Sequence, residues 1–133
     1  KYRDLEKLFL VEGEHLIKEA EKSNSLVKVI LTEDKELETN KEILYVTHEI
    51  MKKLSNLDTP PEMIGVCKIN DNNKVEGNII LALDDIQDPG NLGTILRTVD
   101  SVGLTQILVS KETADSFNPK VVRSTMGAIF RVQ

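Results

Sequence analysis

The sequence predicts an α/β protein built as two halves, on three observations. Between residues 8 and 69, short β-branched runs alternate with short amphipathic stretches, the pattern of a small α/β sandwich. A second series starts at the nearly continuous apolar run Ile79-Ile-Leu-Ala-Leu83, which suits a strand buried on both faces of a parallel sheet; a Pro-Gly turn and a helical repeat follow it. Between the two lies Asn70-Asp-Asn-Asn-Lys-Val-Glu-Gly77, polar and aperiodic, which marks a junction and divides the chain into domains over residues 1–72 and 77–133.

Each element has its own warrant. Leu8-Phe-Leu-Val11 reads as a strand, and Gly13 to Lys22 as a helix that turns Leu16, Ile17 and Ala20 inward. Leu26 to Leu31 is a β-branched strand, and the charged loop Glu33 to Lys41 separates it from the strand Ile43 to Val46. Thr47 caps a helix over His48 to Leu54 with Met51 and Leu54 on its packed side. Met63 to Ile69 closes the half as a strand, and Phe9 and Tyr45 are assigned to the core, with stacking on RNA bases as the alternative. In the second half Leu92, Ile95, Leu96, Val99 and Val102 form one apolar stripe, with Asn91 as N-cap and Gly103 as the left-handed terminator. Gln106 to Val109 is the next strand. Asn118-Pro119 supplies an N-cap and first-turn pair for a helix from Lys120 to about Thr125, and Met126 to Phe130 turns into a further strand.

Composition narrows the function. Lys plus Arg total 17 against 22 Asp plus Glu, a net charge of −5, so the chain has no general attraction for nucleic acid and any RNA contact must come from a local patch. The single cysteine, Cys67, excludes an internal disulfide and fits a reducing compartment, while two distant histidines, His15 and His48, give no metal site. The expectation is a cytoplasmic protein without structural metal and without a membrane span, since no apolar run approaches the ~20 residues a span requires.

The chemistry gathers on the turn after the apolar run and on its helix. Opposite the apolar stripe lie Thr94, Arg97, Thr98 and Ser101, so Arg97 projects from the polar face near the positive end of the helix, an arrangement suited to a phosphate or a developing oxyanion. Asn91 orders the turn as a cap, or holds Arg97 or substrate. Lys120 and Arg123, three apart on a short helix, place cations where they oppose the helix dipole; an RNA phosphate contact and an ordinary solvated face both fit them. Glu12 and Glu14 are assigned to helix N-terminal electrostatics, and His15 to a surface or half-buried helix position.

Four stretches together resemble the SpoU (TrmH-like) family of SPOUT-class RNA 2′-O-ribose methyltransferases. Asp88, Pro89, Asn91, Gly93, Arg97, Thr98 and Gly103 stand at the places of its first motif, D-P-x-N-x-G-x-x-x-R-T-A-x-x-x-G. Phe9 to Ala20 is similar to the opening of its small substrate-binding domain, Val46 to Pro60 to that domain's V-x-x-x-x-x-x-x-L-S-x-T-x-x-P stretch, and Phe117 to Phe130 to F-x-P-K-V-V-R-A-S-M-G-A-I-F, with Thr125 in place of the usual Ser. The resemblance implies a small, ribosomal-protein-like α/β substrate-binding domain followed by the first part of an α/β-knot (SPOUT) parallel-sheet domain. It also implies S-adenosyl-L-methionine as cofactor, ribosomal RNA as substrate and a homodimer. The family's second and third motifs, which form the trefoil knot and hold the methyl donor, would lie beyond Gln133, so the chain reads as a fragment whose cofactor-binding residues are not among those given.

The expected function is therefore transfer of a methyl group to a ribose 2′-hydroxyl of RNA, with Arg97 and Asn91 as catalytic residues and Lys120 and Arg123 as RNA contacts. The resemblance gives the arginine a part in activating that hydroxyl. A guanidinium stays protonated in proteins, so its role is expected to be phosphate orientation and alkoxide stabilisation rather than base catalysis. A non-catalytic RNA-binding module on the same scaffold is the alternative. An ordinary nucleotide-binding α/β protein fits less well, because Pro89-Gly-Asn-Leu-Gly93 lacks the G-x-G-x-x-G spacing.

Overall fold

The computed structural model describes residues 5–70 and 74–133. The chain divides into two compact units that meet between Ile69 and Asn70. Part of the polar segment read as the junction, residues 71–73, lies outside the described residues.

Among the described residues, the first unit is a mixed four-stranded sheet with a helix on each face. Its strands are β1 (Leu8–Glu12), β2 (Leu26–Thr32), β3 (Glu42–Val46) and β4 (Met63–Lys68), in the order β1-β4-β2-β3. β4 runs antiparallel to both its neighbours, and β2 runs parallel to β3. Helix α1 (Glu14–Lys22) buries Leu16, Ile17 and Ala20 against β4, β1 and β2. Helix α2 (His48–Leu54) starts at Thr47, whose side-chain oxygen accepts from the Ile50 N–H at 3.3 Å.

Adjacent residues of β4 show that the helices cover opposite faces. A methyl group at Gly65 would point into Val11, Ile17 of α1 and Leu26, at 2.8–3.1 Å. Its neighbour Ile64 packs instead with Met51 of α2, Val46 and Ile30. Successive strand residues face opposite sides, so the unit has three layers, α/β/α.

Two core assignments fail here. Tyr45 is 53% exposed, because it sits on the α1 side of the edge strand β3 while α1 packs on β4, β1 and β2. Leu54 is 39% exposed, because it ends a seven-residue helix anchored through Met51. Glu12 also acts differently from its expected part: its carboxylate accepts from Ser55 Oγ at 2.8 Å and Asn56 N at 3.3 Å, fastening the loop after α2. Glu14 does serve α1, from its first turn, and its pairing with Lys18 holds its carboxyl below the usual range.

Burial in β4 pushes the Cys67 thiol up to about 12, which leaves almost no thiolate at neutral pH. Native protein is therefore expected to react with iodoacetamide or a disulfide reagent only on the timescale of unfolding, and at once in denaturant. Fast, stoichiometric labelling of the native protein would contradict this burial.

The second unit contains two short parallel strands, β5 (Leu81–Leu83) and β6 (Ile107–Val109), paired Leu81 to Ile107 through Leu83 to Val109. Helix α3 (Pro89–Ser101) connects them, so the parallel pair joined through a helix is present as the sequence predicts. Helix α4 (Pro119–Ser124) packs on α3, and a 3₁₀ turn (Ala128–Phe130) follows. The chain's last residue lies beside β6: Gln133 N donates to Thr105 O and Ile107 N donates to Gln133 O, both at 2.8 Å.

Several local expectations need correction. β5 is shorter than the apolar run and open on its faces, with Ile79 71% exposed, because among the described residues its sheet has two strands and not the several that double burial requires. The N-cap of α3 is Asp88, not Asn91: its carboxylate accepts from Asn91 N at 2.7 Å and Pro89 takes the first helical position. Leu92, Leu96 and Val99 are buried as expected, but Val102 is exposed because the helix ends at Ser101 and Gly103, at φ +77°, turns the chain away. Met126 to Phe130 does not lead into a strand; Gly127 adopts φ +99° and the apolar residues Ala128 and Ile129 bury as a 3₁₀ turn. The Asn118 cap stands as predicted, its side chain accepting from Lys120 N at 2.9 Å.

The α3–α4 contact is very close. Ser124 Oγ of α4 donates to Pro89 O at 3.2 Å, and a Cβ placed on Gly93 would lie 1.7 Å from that oxygen and 3.0 Å from the Ser124 backbone carbon. Only glycine permits this approach. It brings the residues after α4 alongside the polar face of α3.

Candidate functional site

The polar face of α3 forms one wall of an open groove of about 410 Å³ lined by Thr94, Arg97, Thr98 and Ser101 together with Asp100, Thr125, Met126 and Arg131. The hydroxyls on this wall donate back to the helix: Thr94 to Gly90 O at 2.9 Å, Thr98 to Thr94 O at 3.1 Å and Ser101 to Thr98 O at 2.7 Å. Their protons are used internally, so the row presents acceptor lone pairs to the groove. Thr125, on the far wall, is buried and donates to Val122 O at 2.7 Å.

Two arginines line the groove in different states. Arg131 grips Asp100 with one edge of its guanidinium, Nε at 2.9 and 3.0 Å and Nη2 at 2.8 Å from the carboxylate oxygens. Arg97 is exposed and, among the described residues, has no hydrogen-bond or ion-pair partner. An unpartnered guanidinium in a polar groove is a ready receptor for a phosphate or an oxyanion.

Of the four predicted catalytic and RNA-contact residues, the groove contains Arg97 alone, beside Thr94, Thr98 and Ser101 of the same polar face. Asn91 is exposed in the first turn of α3, six positions before Arg97 and hence on another side of the helix, and it is not among the lining residues. Lys120 is exposed in the first turn of α4, where a cation does oppose the dipole, but Arg123 stands in the last turn, where the dipole favours a cation; neither lines the groove. Asp100, Thr125, Met126 and Arg131 were missed. Arg131 lies 31 residues from Asp100, and nothing in a local window signals that pairing.

Residues 78–133, which carry the groove, match the SpoU rRNA Methylase family. The chain is a member of the SpoU rRNA methylase family. The first unit of this SpoU-family chain matches the MRM3-like substrate binding domain over residues 1–65. Among curated relatives, 23S rRNA (guanosine(2553)-2'-O)-methyltransferase RlmP of Bacillus subtilis is 37% identical over 93% of this chain and 52% of its own length. Human mitochondrial rRNA methyltransferase 3 is 33% identical over 98% of this chain and 35% of its own. The chain thus spans about half the length of the first of these relatives and about a third of the second. A TrmH-family protein from Porphyromonas gingivalis superposes with a TM-score of 0.84 at 33% identity, over 99% of this chain and 55% of that one. An AdoMet-bound rRNA methyltransferase from Sinorhizobium meliloti superposes at 0.78 with 29% identity, over 98% and 54%. The fold is that of SPOUT methyltransferases.

Proposed function

We propose that the intact protein methylates a ribose 2′-hydroxyl of ribosomal RNA, with S-adenosylmethionine as donor, and that it does so as a knotted homodimer in the cytoplasm. The Arg97 guanidinium, in the groove on the polar face of α3 and without a partner among the described residues, is the observation that carries this reading. Relatives named as rRNA methyltransferases along nearly the whole chain supply its substrate class.

The roles divide between the units. The first supplies an RNA-binding platform. In the second, Arg97 orients a phosphate of the target nucleotide and stabilises negative charge on the ribose oxygen as it attacks, while the Thr94, Thr98 and Ser101 lone pairs accept from sugar or base donors nearby. Asp88 and Asn91 hold the turn from which α3 starts, which fixes where Arg97 points. The donor supplies an electrophilic methyl on its sulfonium. The groove beside β6, lined by Lys74, Val75, Gln106, Leu108 and Gln133 among others, offers no carboxylate among its described lining residues for a donor's ribose hydroxyls, and no residue is assigned to the donor.

Incubation of the intact protein with ribosomal RNA and methyl-labelled S-adenosylmethionine is expected to give label in an alkali-resistant dinucleotide, the mark of a 2′-O-methyl group. Label on a base, or none, would overturn the proposal. Lys120 and Arg123 are proposed as phosphate contacts. Lys120→Ala is expected to weaken RNA binding alike for all sequences and to reduce the slope of log K against log salt by about 1. An unchanged slope would return Lys120 to the solvated surface.

A further inference from the structure

Asp100 stands three residues after Arg97, a spacing at which helical side chains meet, and among the described residues lining the groove it is the one carboxylate. Left alone, it would pair with Arg97 and occupy the guanidinium that substrate needs. The structure shows it engaged elsewhere: Arg131, across the groove, contacts both its oxygens at 2.8–3.0 Å, and Arg97 is left without a partner among the described residues.

We propose that Arg131 is a positioning residue, which keeps Arg97 open to RNA by holding the Asp100 carboxylate away from it. The idea rests on the methyltransferase reading for its consequence in activity, but not for its geometry. The arrangement solves a specific electrostatic problem. A groove meant for a polyanion has a carboxylate in its wall, and neutralising that carboxylate with a second arginine both removes a repulsive charge and protects the first arginine from capture. The pair also ties the segment after the 3₁₀ turn to the last turn of α3, so the two walls of the groove and the state of Arg97 are set by one contact.

Intact wild-type protein, Arg131→Ala and Arg131→Ala/Asp100→Asn are compared in two measurements. In methylation of ribosomal RNA, Arg131→Ala is expected to lower kcat/KM roughly two- to five-fold, the range an exposed ion pair supports, and the added Asp100→Asn to restore it. In ¹⁵N–¹H NMR without substrate, the Arg97 Nε–Hε signal is expected to shift in the single variant and return in the double. Equal impairment of single and double variants, a single variant with wild-type activity beside an active wild type, or an Arg97 signal that does not move, would overturn the inference. A shift that appears and reverses while wild-type protein transfers no methyl group would instead sustain the guarding contact and sink the methyltransferase reading. If Arg131→Ala does not fold, Arg131→Gln, which keeps the stem, takes its place in the same comparison.

Discussion

Arg97→Ala in the intact protein is expected to slow single-turnover methylation roughly 10²–10³-fold, about 2.7–4 kcal/mol of transition-state stabilisation, while leaving the unfolding temperature near that of the wild type. The two halves of that expectation have separate grounds. The side chain is exposed and without a partner among the described residues, so its removal costs the fold nothing that the structure shows. Its place in the groove opposite Thr125 and Arg131 is where substrate charge would concentrate. Arg97→Lys should recover little, since a point charge cannot reproduce a planar fork of donors. Full activity in the alanine variant would make Arg97 an ordinary surface residue; unfolding would mean that α3 presents a different face to its unit.

Gly93→Ala is expected to be the most damaging small substitution in the second unit. Its new methyl carbon would fall 1.7 Å from Ser124 Oγ, 2.6 Å from Ser124 Cβ and 3.0 Å from the backbone carbon, so rotating one side chain cannot relieve it. Overpacking of this kind costs about 1–3 kcal/mol, and for a unit of this size each kcal/mol lowers Tm by roughly 4–8 °C. The mechanism has a signature: Gly93→Ala/Ser124→Gly, which deletes the two nearest atoms, should be more stable than Gly93→Ala alone in a thermal melt, although Ser124→Gly by itself weakens α4. If the second substitution adds its cost to the first, the clash is not what destabilises the unit. Because this contact sets how close α4 lies to α3, activity should fall with stability.

The parts that the sequence made legible are those governed by short-range rules. Thr47 and Asn118 cap where expected, Gly103 terminates α3, and Leu92, Leu96 and Val99 face inward, because caps and the 3.6-residue repeat act within one or two turns. Asp88 was within reach. Asp88-Pro89 repeats the cap-then-proline order that identifies Asn118-Pro119, and the same logic applied there would have passed over Asn91. The misread segments depend on neighbours far along the chain. The exposure of Tyr45 follows from β3 standing at the edge of a sheet whose order no local window reveals. Met126 to Phe130 is an apolar run of the kind that strand and buried helical turn share. At the site, Arg97 was visible through its motif and its helix face, whereas Arg131 and Thr125 reach the groove through the Gly93–Ser124 contact, a tertiary event.

The strand order of the first unit also sets a schedule for synthesis. β1 stands at one edge and its neighbour is β4, the last strand to be made, with Leu8 opposite Lys68 and Glu12 opposite Ile64. On the ribosome, Phe9 and Val11 therefore emerge with no sheet to join until translation has passed β4, roughly 3–11 s later at ordinary elongation rates. During that interval β1 is the strand of this unit most exposed to trapping by other nascent chains and to chaperone capture. Slowing translation across residues 13–63 should therefore lower the soluble yield of the first unit more than slowing it after residue 70.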